Sequence, residues 1–181
     1  MSIKSTIYGK IIIVLTILTV LFIFIQSMIP KEESKKESDA VGEVVEQVIE
    51  TVAPDNESFK DAVKKDIRKI AHFFEFGVLG SEVALYLFLS YRKRNTILDN
   101  IDIPWRLNYL LKSIAVCLAS GLLVSIADET IQIFSERGPS VTDVWIDMFG
   151  FSSLYFLLIT ILLSVYSITR NKRQKSICEN T

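Results

Sequence analysis

One histidine and two cysteines are all the imidazole and thiol that the 181 residues offer. That scarcity excludes a multi-histidine phosphatase centre and the H-E-x-x-H zinc arrangement, and no metal or cofactor is expected from such an inventory. A disulfide is not expected either, because Cys117 lies inside an apolar run while Cys178 lies in a basic tail. Excess charge of one sign is also missing: the formal net charge of −1 argues against a nucleic-acid partner or a polyanionic tail. No internal repeat or low-complexity tract appears, and with it go the repeat architecture and broken helices of a self-contained transporter.

What the chain does have is long apolar runs. Ile11 to Ile29 reads IIIVLTILTVLFIFIQSMI without a charge, and about 18 such residues suffice to span a bilayer. A cleaved secretory signal would need a shorter core and a small-x-small site, yet Pro30 and Lys31 follow directly. The run is therefore expected to be an uncleaved first span. Spans are predicted at about 10–29, 69–90, 110–134 and 145–168, each long enough at about 1.5 Å per residue to cross about 30 Å of hydrocarbon. Trp105, Trp145, Tyr91 and Tyr166 fall near proposed ends, where amphipathic rings prefer the interface. The expected fold is an all-α integral membrane protein, a bundle of four transmembrane helices forming a single domain.

Four spans put the amino terminus, the Arg92-Lys93-Arg94 loop and the basic tail at 169–181 on one side of the membrane. By the positive-inside rule that side is cytoplasmic, which leaves the 31–68 loop outside. The lysines of that loop are interleaved with acids in a longer segment, where the rule weakens. Within the loop Val41, Val44, Val45, Val48, Ile49 and Val52 make one apolar face against Glu43, Glu46, Gln47 and Glu50, so an amphipathic helix is predicted on the bundle or membrane surface. Ser58 and Asp61 then form a capping pattern for a helix leading into the second span.

Ionisable residues punctuate three of the spans. The second opens with Arg68, His72 and Glu75 along one helical face, the third closes with Asp128, Glu129 and Gln132, and the fourth follows Arg137 with Asp143 and Asp147. Because successive spans alternate in direction, these three ends meet at one membrane face, with Glu75, Asp128 and Asp147 within about 10 Å of it. Charges at such depth cost a few kcal/mol each unless they pair, line water or face the bundle interior. Arg68 and Arg137 are the bases available to pair with the acids, and His72 can donate or accept a proton.

Plainer roles exist for each. Arg68 and Lys69 can snorkel, Asp143 can complete a cap with Ser140, His72 can be hydrogen-bonded structure, and Asp147 can tie helices together. Glu82 lies deeper on the face of Glu75. Gly77 with Ser81, and Ala115 with Ala119, are small-xxx-small pairs expected at helix contacts. Taken jointly, so many ionisable residues at one depth point to a site and not to architecture alone.

At these residues the sequence resembles the VanZ-like family of small bacterial membrane proteins, named for a protein associated with teicoplanin resistance. Gln26-Ser27-Met28-Ile29-Pro30 closes the first span. Arg68-Lys69-Ile70-Ala71-His72-Phe73-Phe74-Glu75-Phe76-Gly77-Val78-Leu79-Gly80 resembles the family's R-K-x-A-H-F-x-E-[YF]-x-x-L-G stretch. Asp128-Glu129-Thr130-Ile131-Gln132-Ile133-Phe134, then Arg137-Gly138-Pro139-Ser140-Val141-Thr142-Asp143-Val144 with Asp147 and Gly150, is similar to its D-E-x-x-Q-x-F and R-G-x-S-x-x-D-x-x-x-D-x-x-G pattern. Leu154 stands where the family often has a second small residue.

The resemblance implies a multi-pass protein of the bacterial cytoplasmic membrane, a cell-envelope role and glycopeptide resistance. Three functions remain in competition. In the first, a non-enzymatic polar pocket open to the outer leaflet binds a lipid headgroup or amphiphilic drug, its partners being membrane lipids and a lipid-linked envelope precursor or the glycopeptide. In the second, His72 or Glu75 acts as an intramembrane acid or base on a lipid-linked substrate. In the third, an oligomer conducts protons or ions along Glu75 and Glu82. All need one shared face. Accessibility labelling of single cysteines at positions 72 and 147 is expected to place both at the same surface of the membrane, and labelling from opposite surfaces would remove the common site.

Overall fold

The computed structural model describes residues 3–30, 32–33, 43, 57–95, 104–135 and 138–178. Four long helices carry the chain, α1 (Ile3–Met28), α2 (Glu57–Asn95), α3 (Pro104–Phe134) and α4 (Val141–Cys178), and no strand occurs among the described residues. Each contains a stretch long and apolar enough to cross a membrane: Ile7–Met28, Ile67–Ser90, Leu110–Phe134 and Val141–Thr169. The architecture is the expected four-helix membrane bundle. Apart from Glu43, the expected amphipathic helix of Val41 to Val52 lies outside the described residues, as does the motif residue Arg137.

Local chemistry sets the helix ends. Pro104 opens α3, where a missing N–H costs nothing, and Pro30 stands just beyond α1. Ser140 caps α4: its hydroxyl accepts from the Asp143 N–H at 3.3 Å, and its carbonyl accepts from Asp143 and Val144. This cap starts the helix a full turn before Trp145, the predicted start of the fourth span. Between α3 and α4 the chain reverses through Gly138, whose φ of 77° suits a residue without a Cβ. The second-span helix is continuous from Glu57 to Asn95, so one rod includes both the helix expected from Ser58 and the span itself.

The most extensive interface joins α2 to α4. The two run parallel, since contacts advance together from Phe73 beside Gly150 to Phe88 against Tyr166, whose ring centroids are 6.1 Å apart. Lipid tails are as apolar as leucine, so association inside a bilayer depends on close packing and polar contacts. Glycines supply the first. A Cβ on Gly80 would collide with the backbone of Phe151, and one on Gly150 with the backbone of Phe73. Leu154 lies directly over Gly77 and fills the notch there, so the bulk at this position is absorbed by a glycine on the facing helix. Around this seam Ile23, Phe76, Leu79, Phe88, Phe151 and Tyr155 form the buried core. Tyr155 donates to the Ser113 carbonyl at 3.0 Å and meets the Ser113 hydroxyl at 2.7 Å, joining α4 to α3.

The opposite faces are apolar and exposed, as at Leu18, Phe22, Leu118, Leu123, Leu157 and Ile161, which is the surface a bilayer solvates. Ala115 and Ala119 belong to this outer surface. That corrects their expected place at a helix contact within the chain; the partner helix packs on the Cys117 and Gly121 side of α3 instead. Gly77 of the other pair does lie at the contact, under Leu154, and the half-buried Ser81 donates to the Gly77 carbonyl of its own helix at 3.0 Å. Overpacking of this kind costs about 1–3 kcal/mol. Gly80→Ala and Gly150→Ala are each expected to lower the thermal unfolding midpoint in detergent, while Gly9→Ala, where a Cβ meets nothing within 4 Å, is expected to leave it unchanged.

Candidate functional site

Polar side chains from all four helices converge near one end of the bundle. On α2, Arg68, His72 and Glu75 recur at three and four residues and face inward, each half-buried. On α3, Asp128, Glu129 and Gln132 are buried, and on α4 Asp147 is buried as well. The alternation of span direction predicted this meeting from sequence, and among the described residues it brings together Arg68, His72, Glu75, Asp128, Glu129, Gln132 and Asp147.

Gln132 is the hub. Its carbonyl accepts from Arg68 Nη2 at 2.9 Å, while its amide donates to Asp128 Oδ2 at 2.9 Å and to Glu129 Oε1 at 3.2 Å. An amide alone can do both, because it offers an acceptor on one side and two donors on the other. Arg68 thus hydrogen-bonds to the amide that in turn holds Asp128 and Glu129. The second oxygen of Glu129 accepts from the Ser140 N–H at 2.7 Å. A carboxylate there meets the positive end of the α4 dipole and satisfies a donor that a helix start leaves open. Asp143 donates its backbone N–H to the Ser140 cap, and its carboxylate stands close enough to Glu129 and Asp147 to interact with both electrostatically.

The remaining oxygen of Asp128 accepts from the hydroxyl of Ser27 on α1. The Ser27 carbonyl in turn accepts from Ser135 at 2.8 Å. Ser27 and Ser135 belong to the cluster although their residue types did not single them out. A signal was available for Ser27: α1 must end at the same face as the start of α2, and Ser27 is a small polar residue within a turn of that end.

His72 occupies the centre. Its Nδ1 stands 3.9 Å from Glu75 Oε2 and 3.9 Å from Asp147 Oδ1, separations too long for direct hydrogen bonds. Ligand atoms of His72, Asp128 and Asp147 all lie within 4.8 Å of one another. Both carboxylate oxygens of Asp147 are buried and accept no hydrogen bond from the described residues, an expensive condition for a polar group that is out of contact with water. Among the described residues the carboxylates outnumber the bases, so the arrangement favours a cationic or proton-donating guest. Glu82, by contrast, accepts from Thr19 on α1 at 2.9 Å and ties two helices together deeper in the bundle.

Beside this cluster, on the outer side of the α2 and α4 seam, runs a groove of about 540 Å³ lined by Ile70, Phe73, Phe74, Trp145, Ile146 and Phe149, with Lys69 and Thr142 among its walls. The lining is almost wholly apolar, with a single ammonium.

Comparison with curated proteins and with solved structures finds no match. A family model described as VanZ/LLP1 matches residues 12–164, a stretch that runs from α1 into α4 and includes every residue of the cluster. With the spans, the three motif blocks and their meeting at one end of the bundle in view, the chain belongs to the VanZ-like family.

Proposed function

We propose that this VanZ-type membrane protein contributes to resistance against teicoplanin-type glycopeptides by binding, at its polar cluster, the headgroup of an envelope lipid or another amphiphilic ligand. The observation that carries this is the convergence of Arg68, His72 and Glu75 with Asp128, Glu129, Gln132 and Asp147 at one end of the bundle. Architecture would be served by the Gln132 hub and the Ser140 cap alone. His72, Glu75 and Asp147 go beyond it, and intramembrane ionisable groups are ordinarily retained for function.

Access is favoured from the α2 side, where Glu75 keeps a quarter of its side chain exposed. An apolar tail has the groove along Phe73, Phe74, Trp145 and Phe149 beside it, and such a pairing of a few polar groups with an apolar wall is how ligand sites are commonly built. With both termini cytoplasmic by the positive-inside rule, the cluster faces the outer leaflet, where envelope lipids and glycopeptides are met. Lipid-linked envelope precursors carry both a headgroup and a tail suited to this combination.

A second function draws on one specific distance pair. A histidine flanked by two carboxylates, here Glu75 and Asp147 at 3.9 Å each, is an arrangement that supports general acid or base chemistry on a lipid-linked substrate.

At matched expression, Glu75→Gln, Asp128→Asn and Arg137→Ala are expected to return teicoplanin susceptibility to that of cells without the protein. Unchanged resistance in all three would remove the pocket from the mechanism. Purified protein supplied with labelled envelope lipids separates binding from catalysis: retention of the lipid without turnover supports the pocket, whereas turnover abolished in His72→Ala would establish the enzyme.

A further inference from the structure

We infer that His72, Asp128 and Asp147 form a binding site for one divalent transition-metal ion, of the Zn²⁺ or Mn²⁺ class. The sequence inventory pointed the other way, since no metal was expected of a chain with a single histidine. Three donors from three different helices leave no spacing pattern in a sequence. They come together only when α2, α3 and α4 are packed.

Two independent features of the site point to an ion. First, the donor atoms lie within 4.8 Å of one another. Ligands held about 2.0–2.2 Å from a common centre are separated by about 3–4 Å, so small shifts would close this set on one ion. Second, Asp147 is only 1% exposed, and neither of its oxygens accepts a hydrogen bond from the described residues, while Oδ1 points toward the imidazole at 3.9 Å. A carboxylate so placed is costly without a cation, and a dication removes that cost.

Asp128 has the surroundings of an oriented ligand. Its oxygens accept from Ser27 and from Gln132, and each retains a lone pair, so these contacts fix the carboxylate without exhausting it. Glu75 Oε2, also 3.9 Å from His72 Nδ1, is near enough to serve as a fourth ligand. One imidazole with two or three carboxylates suits Zn²⁺ or Mn²⁺ better than the all-oxygen sets preferred by Ca²⁺ and Mg²⁺. Three protein ligands leave the fourth position of a tetrahedral Zn²⁺ for an exogenous oxygen, and an octahedral Mn²⁺ keeps open positions even with four. With the ion in place the guest best suited to the cluster becomes an anionic one, the phosphate of a lipid headgroup. That last consequence rests on the function proposed above; the ion site itself does not.

The test uses untagged, chelator-treated full-length protein in detergent, titrated separately with Zn²⁺ and Mn²⁺ and followed by calorimetry and by metal content after gel filtration. About one ion per chain is expected for the native protein, the stoichiometry of a single site. Uptake is expected to be lost in His72→Ala and Asp147→Asn and kept in Glu32→Gln, which alters an exposed acid outside the cluster. In the native protein, pulsed electron paramagnetic resonance of bound Mn²⁺ is expected to report coupling to an imidazole nitrogen. This readout decides the matter even if the variants fail to fold. No stoichiometric uptake by native protein, binding undiminished in folded Asp147→Asn, or bound Mn²⁺ without nitrogen coupling would each overturn the site. Resistance that survives loss of the ion would overturn the ion-held phosphate as the guest while leaving the site intact.

Discussion

A carboxylate a few turns inside a bilayer cannot be solvated by lipid, and the arrangement of this bundle answers to that constraint. Its acids face inward and are linked helix to helix: Arg68 on α2 reaches Gln132 on α3, Gln132 holds Asp128, and Asp128 accepts from Ser27 on α1. Glu129 adds α4 by binding the Ser140 N–H. Each bond lowers the cost of burial and also fixes the rotation of the helix that supplies it. Close approach of α2 and α4 at Gly80 and Gly150 is the necessary complement. Only helices that touch backbone to backbone bring His72 and Asp147 within 4 Å of each other.

Within this network, structural and chemical roles separate by how completely each group is satisfied. Gln132 uses both ends of its amide, and Glu129 has a partner for each oxygen. These are the contacts of a scaffold. Asp147 is different: it is buried as deeply as Asp128 yet accepts nothing from the described residues. A scaffold gains nothing from such a group. A site that takes up a proton, an ammonium or a metal ion requires one, and that contrast distinguishes the His72 end of the cluster from the Ser140 end.

Much of this could be read from the sequence, because hydrophobic length and alternation of direction are properties of the chain alone. The four spans, the Ser140 cap and the shared depth of the α2, α3 and α4 motifs follow from them. Side-chain partners across helices do not, since they depend on rotations set by packing. Nothing in the chain says that Leu154 will sit over Gly77, that Ala115 and Ala119 will face outward, or that Arg68 will bond to the Gln132 amide. Ser27 is intermediate. Its depth was legible, but its role depends on which residue of α3 it faces, and that required the bundle.

The bond between Ser27 and Asp128 spans 101 positions of sequence, and so does its consequence for biogenesis. During membrane insertion the first helix has no partner for that hydroxyl until the third helix has entered the bilayer, because Asp128 and Ser135 are supplied late. Helices that insert singly and then associate laterally would let α1 pair first with α2, where Thr19 meets Glu82, and leave its Ser27 end without these partners until α3 is made. Docking of that end is then a late event, and a defect in α3 would surface first as a loosened carboxyl-terminal turn of α1.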